Sequence, residues 1–94
     1  MNAAALRKRL TQSLLDEINE VQFPSVTMMD RVEAALGTAG DLTDYAEVLV
    51  KKVEATRYPS ISLLNRLEGL LDRLEQFERL QQLQAAEGDG ASAD

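Results

Sequence analysis

The sequence predicts an all-α protein: a four-helix bundle built from two sequence-related αα-hairpins, with a long C-terminal helix. Three observations carry this. One stretch occurs twice, as Phe23-Pro-Ser-Val-Thr-Met-Met-Asp-Arg-Val-Glu-Ala-Ala-Leu36 and as Tyr58-Pro-Ser-Ile-Ser-Leu-Leu-Asn-Arg-Leu-Glu-Gly-Leu-Leu71, 35 residues further on. Five of its fourteen positions are identical and most others exchange like for like. Apolar residues on both sides of each copy recur at three and four residues, the spacing of one helix face. Proline at the same place in both copies then divides each 35-residue unit into helix, corner and helix.

The first helix is expected over Ala3–Val21, with Leu6, Leu10, Leu14, Ile18 and Val21 on one stripe, Leu15 beside it, and Arg7, Arg9, Gln12, Asp16 and Glu20 opposite. Phe23-Pro24 ends it, because proline offers no amide hydrogen and restricts the residue before it. Ser25 or Thr27 then caps a second helix over Val26–Leu36, with Val26, Met29, Val32 and Leu36 inward. The ring of Phe23, like that of Tyr58, is expected to seat its corner in the core. Gly37-Thr-Ala-Gly40 closes the second helix through a left-handed glycine. Asp41 or Thr43 opens a third helix running to about Arg57, with Leu42, Tyr45, Ala46, Leu49 and Val53 inward and Val48 and Val50 off the stripe. Pro59 opens the last helix, to about Gln84, along which Leu63, Leu67, Leu70, Leu74 and Phe77 step as a heptad seam. Gly69 interrupts it and points to a close helix contact.

These elements make one helical domain over residues 1–85. Its repeat units cover about 6–36 and 41–71, a C-terminal helix extension covers 72–85, and a disordered acidic tail covers 86–94. A chain of 94 residues buries about 60–65% of its unfolded surface, so the core is modest. With 45% hydrophobic and 28% charged residues, the composition is that of a soluble globular protein. No apolar run approaches the ~20 residues of a membrane span, and the default location is cytoplasmic.

Chemistry is sparse. The chain has no cysteine and no histidine, which removes thiolate nucleophiles, the commonest general base and the commonest metal ligand. The carboxylate pairs Asp16/Glu20, Glu17/Glu20 and Glu75/Glu78 have helical spacing but read as solvated charge. Gly37-Thr-Ala-Gly40 lacks the lysine of a phosphate loop. The expectation is a non-enzyme without cofactor or metal.

Pro59-Ser-Ile-Ser-Leu-Leu-Asn-Arg-Leu-Glu68 resembles the recognition helix of repressor-type helix-turn-helix domains over about ten residues per copy, with Asp30-Arg-Val-Glu33 as the matching segment of the first copy. The pattern departs upstream, where no glycine occupies a tight turn. The resemblance implies a small DNA-binding or transcription-regulating protein that touches nucleic acid through Arg31 or Arg66; the basic cluster Arg7, Lys8 and Arg9 is the other candidate contact. A net charge of −6 opposes it, since phosphate binding needs a basic face.

The favoured reading is a protein–protein interaction or assembly module, a homodimer or a subunit of something larger. The second helix is far shorter than the fourth, so the fourth must outrun it. The overhang carries Leu74, Phe77, Leu80 and Leu83, with Arg73 beside them, as an apolar edge. Either the first helix or another chain is expected to cover it.

Overall fold

The computed structural model describes residues 2–92, with side chains for 2–86. Four helices follow one another: α1 (Ala3–Glu20), α2 (Val26–Ala35), α3 (Ala39–Ala55) and α4 (Ile61–Ser92). No strand occurs among the described residues.

Each of the first three helices opens on a side-chain cap. Asn2 accepts from the Ala5 amide at 2.8 Å, Ser25 from the Met28 amide at 3.1 Å and Thr38 from the Asp41 amide at 3.0 Å. Ser60 does the same for α4, accepting from the Leu63 amide at 3.1 Å. Ser25 and Ser60 stand at the same place in the sequence repeat. So do the two helix ends before them, where the Val21 amide donates to Ile18 O and the Thr56 amide to Val53 O. Sequence likeness at these corners is therefore matched by the same hydrogen bonds.

α3 packs against α1 and α4, and α1 also packs against α2. The core is Leu15, Ile18, Met29, Val32, Leu42, Tyr45, Ala46, Leu49, Leu67 and Leu70. Ile18, Tyr45 and Leu49 are fully sealed. Thr11 is buried among them and satisfies its hydroxyl by donating to Arg7 O and Ala35 O. Lys52 donates to Asn19 O and Val21 O, so α3 supplies a cation to the unpaired carbonyls at the C-terminal end of α1.

Several expectations need correction. Phe23 and Tyr58 are 69% and 82% exposed and seat nothing in the core. The chain bends at Gln22-Phe23 and again at Arg57-Tyr58. Pro24 and Pro59, which follow the rings, are partly buried. Val26 is exposed as well. Gly37 and Gly40 are not left-handed, for no positive φ occurs among the described residues, and Gly40 lies inside α3. Val48 and Val50 pack partly against the core instead of standing free. A Cβ added at Gly69 would meet nothing within 4 Å, so no helix approaches there. Leu6 and Leu10 are half exposed. At 1.5 Å per residue α2 is about 15 Å long and α1 about 27 Å, so α2 cannot cover the whole apolar stripe of α1.

α4 runs past its expected end near Gln84 to Ser92. The acidic tail foreseen over 86–94 therefore has helical backbone as far as Ser92; its side chains from 87, and residues 93 and 94 entirely, lie outside the described residues.

Candidate functional site

α4 leaves the core abruptly. Leu67 and Leu70 are buried, Leu74 is partly buried, and every residue from Glu75 to Ala86 is exposed. Helical backbone from Glu75 to Ser92 extends about 27 Å beyond the last core contact. The molecule is accordingly long, 54 × 38 × 18 Å, with a radius of gyration of 16.3 Å where a compact chain of this length has about 12 Å. We call residues 75–92 the arm.

Phe77, Leu80 and Leu83 are 43%, 54% and 60% exposed. α1 therefore does not cover them, which leaves the edge open. Phe77 continues by one step the heptad seam that Leu63, Leu67, Leu70 and Leu74 press toward the core, but Leu80 and Leu83 leave it. A step of three residues turns a helix by about 300°, so each of these side chains lies about 60° round from the one before. The row crosses the arm obliquely and ends well away from the core-facing side. Arg73, Glu75, Glu78 and Arg79 surround the row and are all exposed.

The five cations named for a nucleic-acid surface fall into different surroundings. Arg66 is tied down: it donates to Glu33 and, at 3.0 Å, to Asp30 Oδ1, with its side chain only 20% exposed. Tyr45 donates to the same Glu33 carboxylate at 2.6 Å. The hydrogen bond to Glu33 is the main reason the guanidinium is held above its usual range. Burial, and then the Glu33 carboxylate, push the Tyr45 phenol up. This cluster joins α2, α3 and α4. Arg31, at the equivalent position of the first repeat, is exposed and has no ion pair among the described residues. Arg7 and Lys8 line a cavity of about 570 Å³ together with Thr38, Gly40, Asp41 and Asp44, so the basic pair shares that cavity with two acidic residues. Arg9 is exposed on the same helix. No group of three or more metal-ligating side chains gathers among the described residues, and no helix of them is long and apolar enough to cross a membrane.

A second apolar surface escaped the sequence reading. Phe23, Val26, Tyr58 and Ile61 are 69%, 53%, 82% and 75% exposed, and the first three line one cavity of about 360 Å³ with Pro24, Met29 and Leu63. The signal was there in the charges: residues 22–29 and 58–65 contain no Asp, Glu, Lys or Arg.

Comparison of the chain with protein-family models, with curated proteins and with solved structures found no significant match.

Proposed function

We propose that the chain is a non-enzymatic assembly module: a four-helix bundle of two repeated hairpins that holds out its last helix for another helix to pack against. The observation that carries this is the arm, helical to Ser92 yet without one buried side chain from Glu75 to Ala86. Most helical stability in proteins comes from packing an amphipathic face, and the arm has no such packing within the chain. Burial of Phe77, Leu80 and Leu83 against a partner supplies the missing support, with Arg73, Glu75, Glu78 and Arg79 setting register and choice of partner. The partner is an amphipathic helix, of a second copy or of another chain. The bundle reading rests on the matched corners at Ser25 and Ser60 and on the packing of α3 between α1 and α4.

A regulator that touches DNA is the weaker reading. Arg66 is already engaged by two carboxylates, and Arg7 and Lys8 share their cavity with Asp41 and Asp44.

The test is photo-crosslinking in the producing cell, with a photoreactive residue placed at Leu80 or at Gln82, which lie about 200° apart around the helix. The proposal expects an adduct of defined mass from Leu80 and none from Gln82. Equal labelling from both, or none from either, rejects the arm as a recognition element.

A further inference from the structure

The corner pole exposes more apolar surface than the described row on the arm. We propose that the pole, formed by Phe23, Val26, Tyr58 and Ile61, is a twofold interface with a second copy of this chain.

Size argues for it first. At the exposures given above, and with roughly 200 Å² for a whole aromatic side chain, the four residues present on the order of 500 Å² of apolar surface. A standard interface takes about 800 Å² from each partner, and about 65% of a homodimer interface is apolar, so a dimer requires roughly 520 Å² of apolar surface per copy. The arm row of Phe77, Leu80 and Leu83 supplies only about 300 Å² on the same scale. The pole comes close to the required area by itself, whereas the arm row reaches little more than half of it.

Composition agrees. The chain is 28% charged, yet the two eight-residue stretches that form the pole carry no charge. Loss of charge at the centre with enrichment in aromatics and methionine is the compositional mark of an interface core. The rim is polar, with Gln22, Thr56, Ser60 and Ser62 lining the same cavity. The guanidinium of Arg57 stands 5.4 Å from the Tyr58 ring centroid and stiffens that side chain.

Symmetry names the occupant. Phe23 and Tyr58 are repeat equivalents, and so are Val26 and Ile61. The pole thus presents the same apolar pair twice. An isologous interface needs a patch that complements itself under a twofold rotation. A second copy turned over onto this pole sets Phe23 of one copy against Tyr58 of the other, and Val26 against Ile61. A foreign partner would need to reproduce that doubled spacing; this chain already has it.

The two surfaces lie at opposite ends of α4. Ser60 and Ser62 open the helix at the pole, whereas the arm begins at Glu75, about 20 Å further along. A pole-to-pole dimer therefore points its two arms apart and becomes a bivalent bridge between two partner helices.

The test is the mass and maximum dimension of the full chain in solution, by sedimentation equilibrium and small-angle X-ray scattering. It compares wild type with Phe23→Ser/Tyr58→Ser at the pole and Phe77→Glu/Leu80→Glu on the arm. The proposal expects wild type and the arm variant at twice 10.4 kDa, with a maximum dimension about twice the 54 Å long axis. The pole variant is expected at 10.4 kDa with an unchanged helical spectrum. A monomeric wild type, or a pole variant that stays dimeric, overturns the pole interface. A monomeric arm variant beside a dimeric pole variant overturns it too, and places self-association on the arm instead. Should the pole variant fail to fold, the native chain's lack of cysteine gives a second route. A short bifunctional maleimide should join copies of Ser62→Cys and leave Gln82→Cys single; joining both equally rejects the pole.

Discussion

Arg31 and Arg66 occupy the same place in the sequence repeat, and replacing each by methionine should have very different consequences. Arg66 sits with 20% of its side chain exposed between Glu33, 23% exposed, and Asp30, 63% exposed. The hydrogen bond to Glu33 is charge-assisted and partly screened from water, a setting in which such bonds contribute about 1.5–3 kcal/mol. The exposed Asp30 adds at most about 0.5 kcal/mol. Removing the cation also leaves the Glu33 carboxylate with only the Tyr45 hydroxyl as a donor. Arg66→Met should therefore lower stability by about 2–3 kcal/mol, which for a chain of this size lowers Tm by roughly 10 °C or more. Arg31→Met, on an exposed position, should stay within about 0.5 kcal/mol of wild type. Urea unfolding followed by circular dichroism measures both. Because the Glu33 contact is partly buried, raising the salt concentration should reduce the Arg66→Met effect only slightly. Equal losses at the two positions would refute the placement of Arg66 as the tie between α2 and α4.

Three further outcomes are expected. Gly69→Ala should stabilise the protein by about 0.5–1 kcal/mol, since the added methyl meets nothing; a lower melting temperature would mean that a helix does approach there. Ser25→Ala and Ser60→Ala should each cost about 1 kcal/mol, read as matched shifts in urea midpoint, because each hydroxyl caps its helix in the same way. The last concerns alkaline pH. An unfolded tyrosine titrates near 10, whereas burial and the Glu33 carboxylate raise the folded Tyr45 above that. Above pH about 10 the folded state keeps a proton that the unfolded chain gives up, so this contribution is full below that pH and is lost as pH rises above it. Tyr45→Phe should flatten the alkaline fall in stability, and an unchanged slope in that variant would show that the phenol is not held neutral by the fold.

What the residues revealed in advance, and what they hid, follows from the range of the forces involved. Helix identity and capping are local, so the period of Leu42, Tyr45, Ala46 and Leu49 and the candidate cap at Ser25 were readable. Coverage is not local. Leu6 and Leu10 belong to a sound apolar stripe, yet they stay exposed because α2 is too short to reach them. Val48 and Val50 lie off the main stripe and are nonetheless packed, because α3 is contacted by both α1 and α4. Phe23 and Tyr58 reversed expectation: the chain bends at each ring and leaves it exposed, while the proline that follows is partly buried. The overhang of α4 followed from the mismatch in helix lengths, but its obliquity appears only when the three-residue steps from Phe77 to Leu83 are set on a helix.

The claim that the arm is a surface rather than core is tested most directly by comparing Leu80→Glu with Leu70→Glu in urea. Leu70 is 3% exposed and Leu80 is 54% exposed. Leu80→Glu should leave the unfolding midpoint within about 0.5 kcal/mol of wild type, whereas Leu70→Glu, which buries an unpaired carboxylate, should cost more than about 3 kcal/mol or prevent folding. Equal destabilisation by the two substitutions would contradict the claim and return the arm to the core.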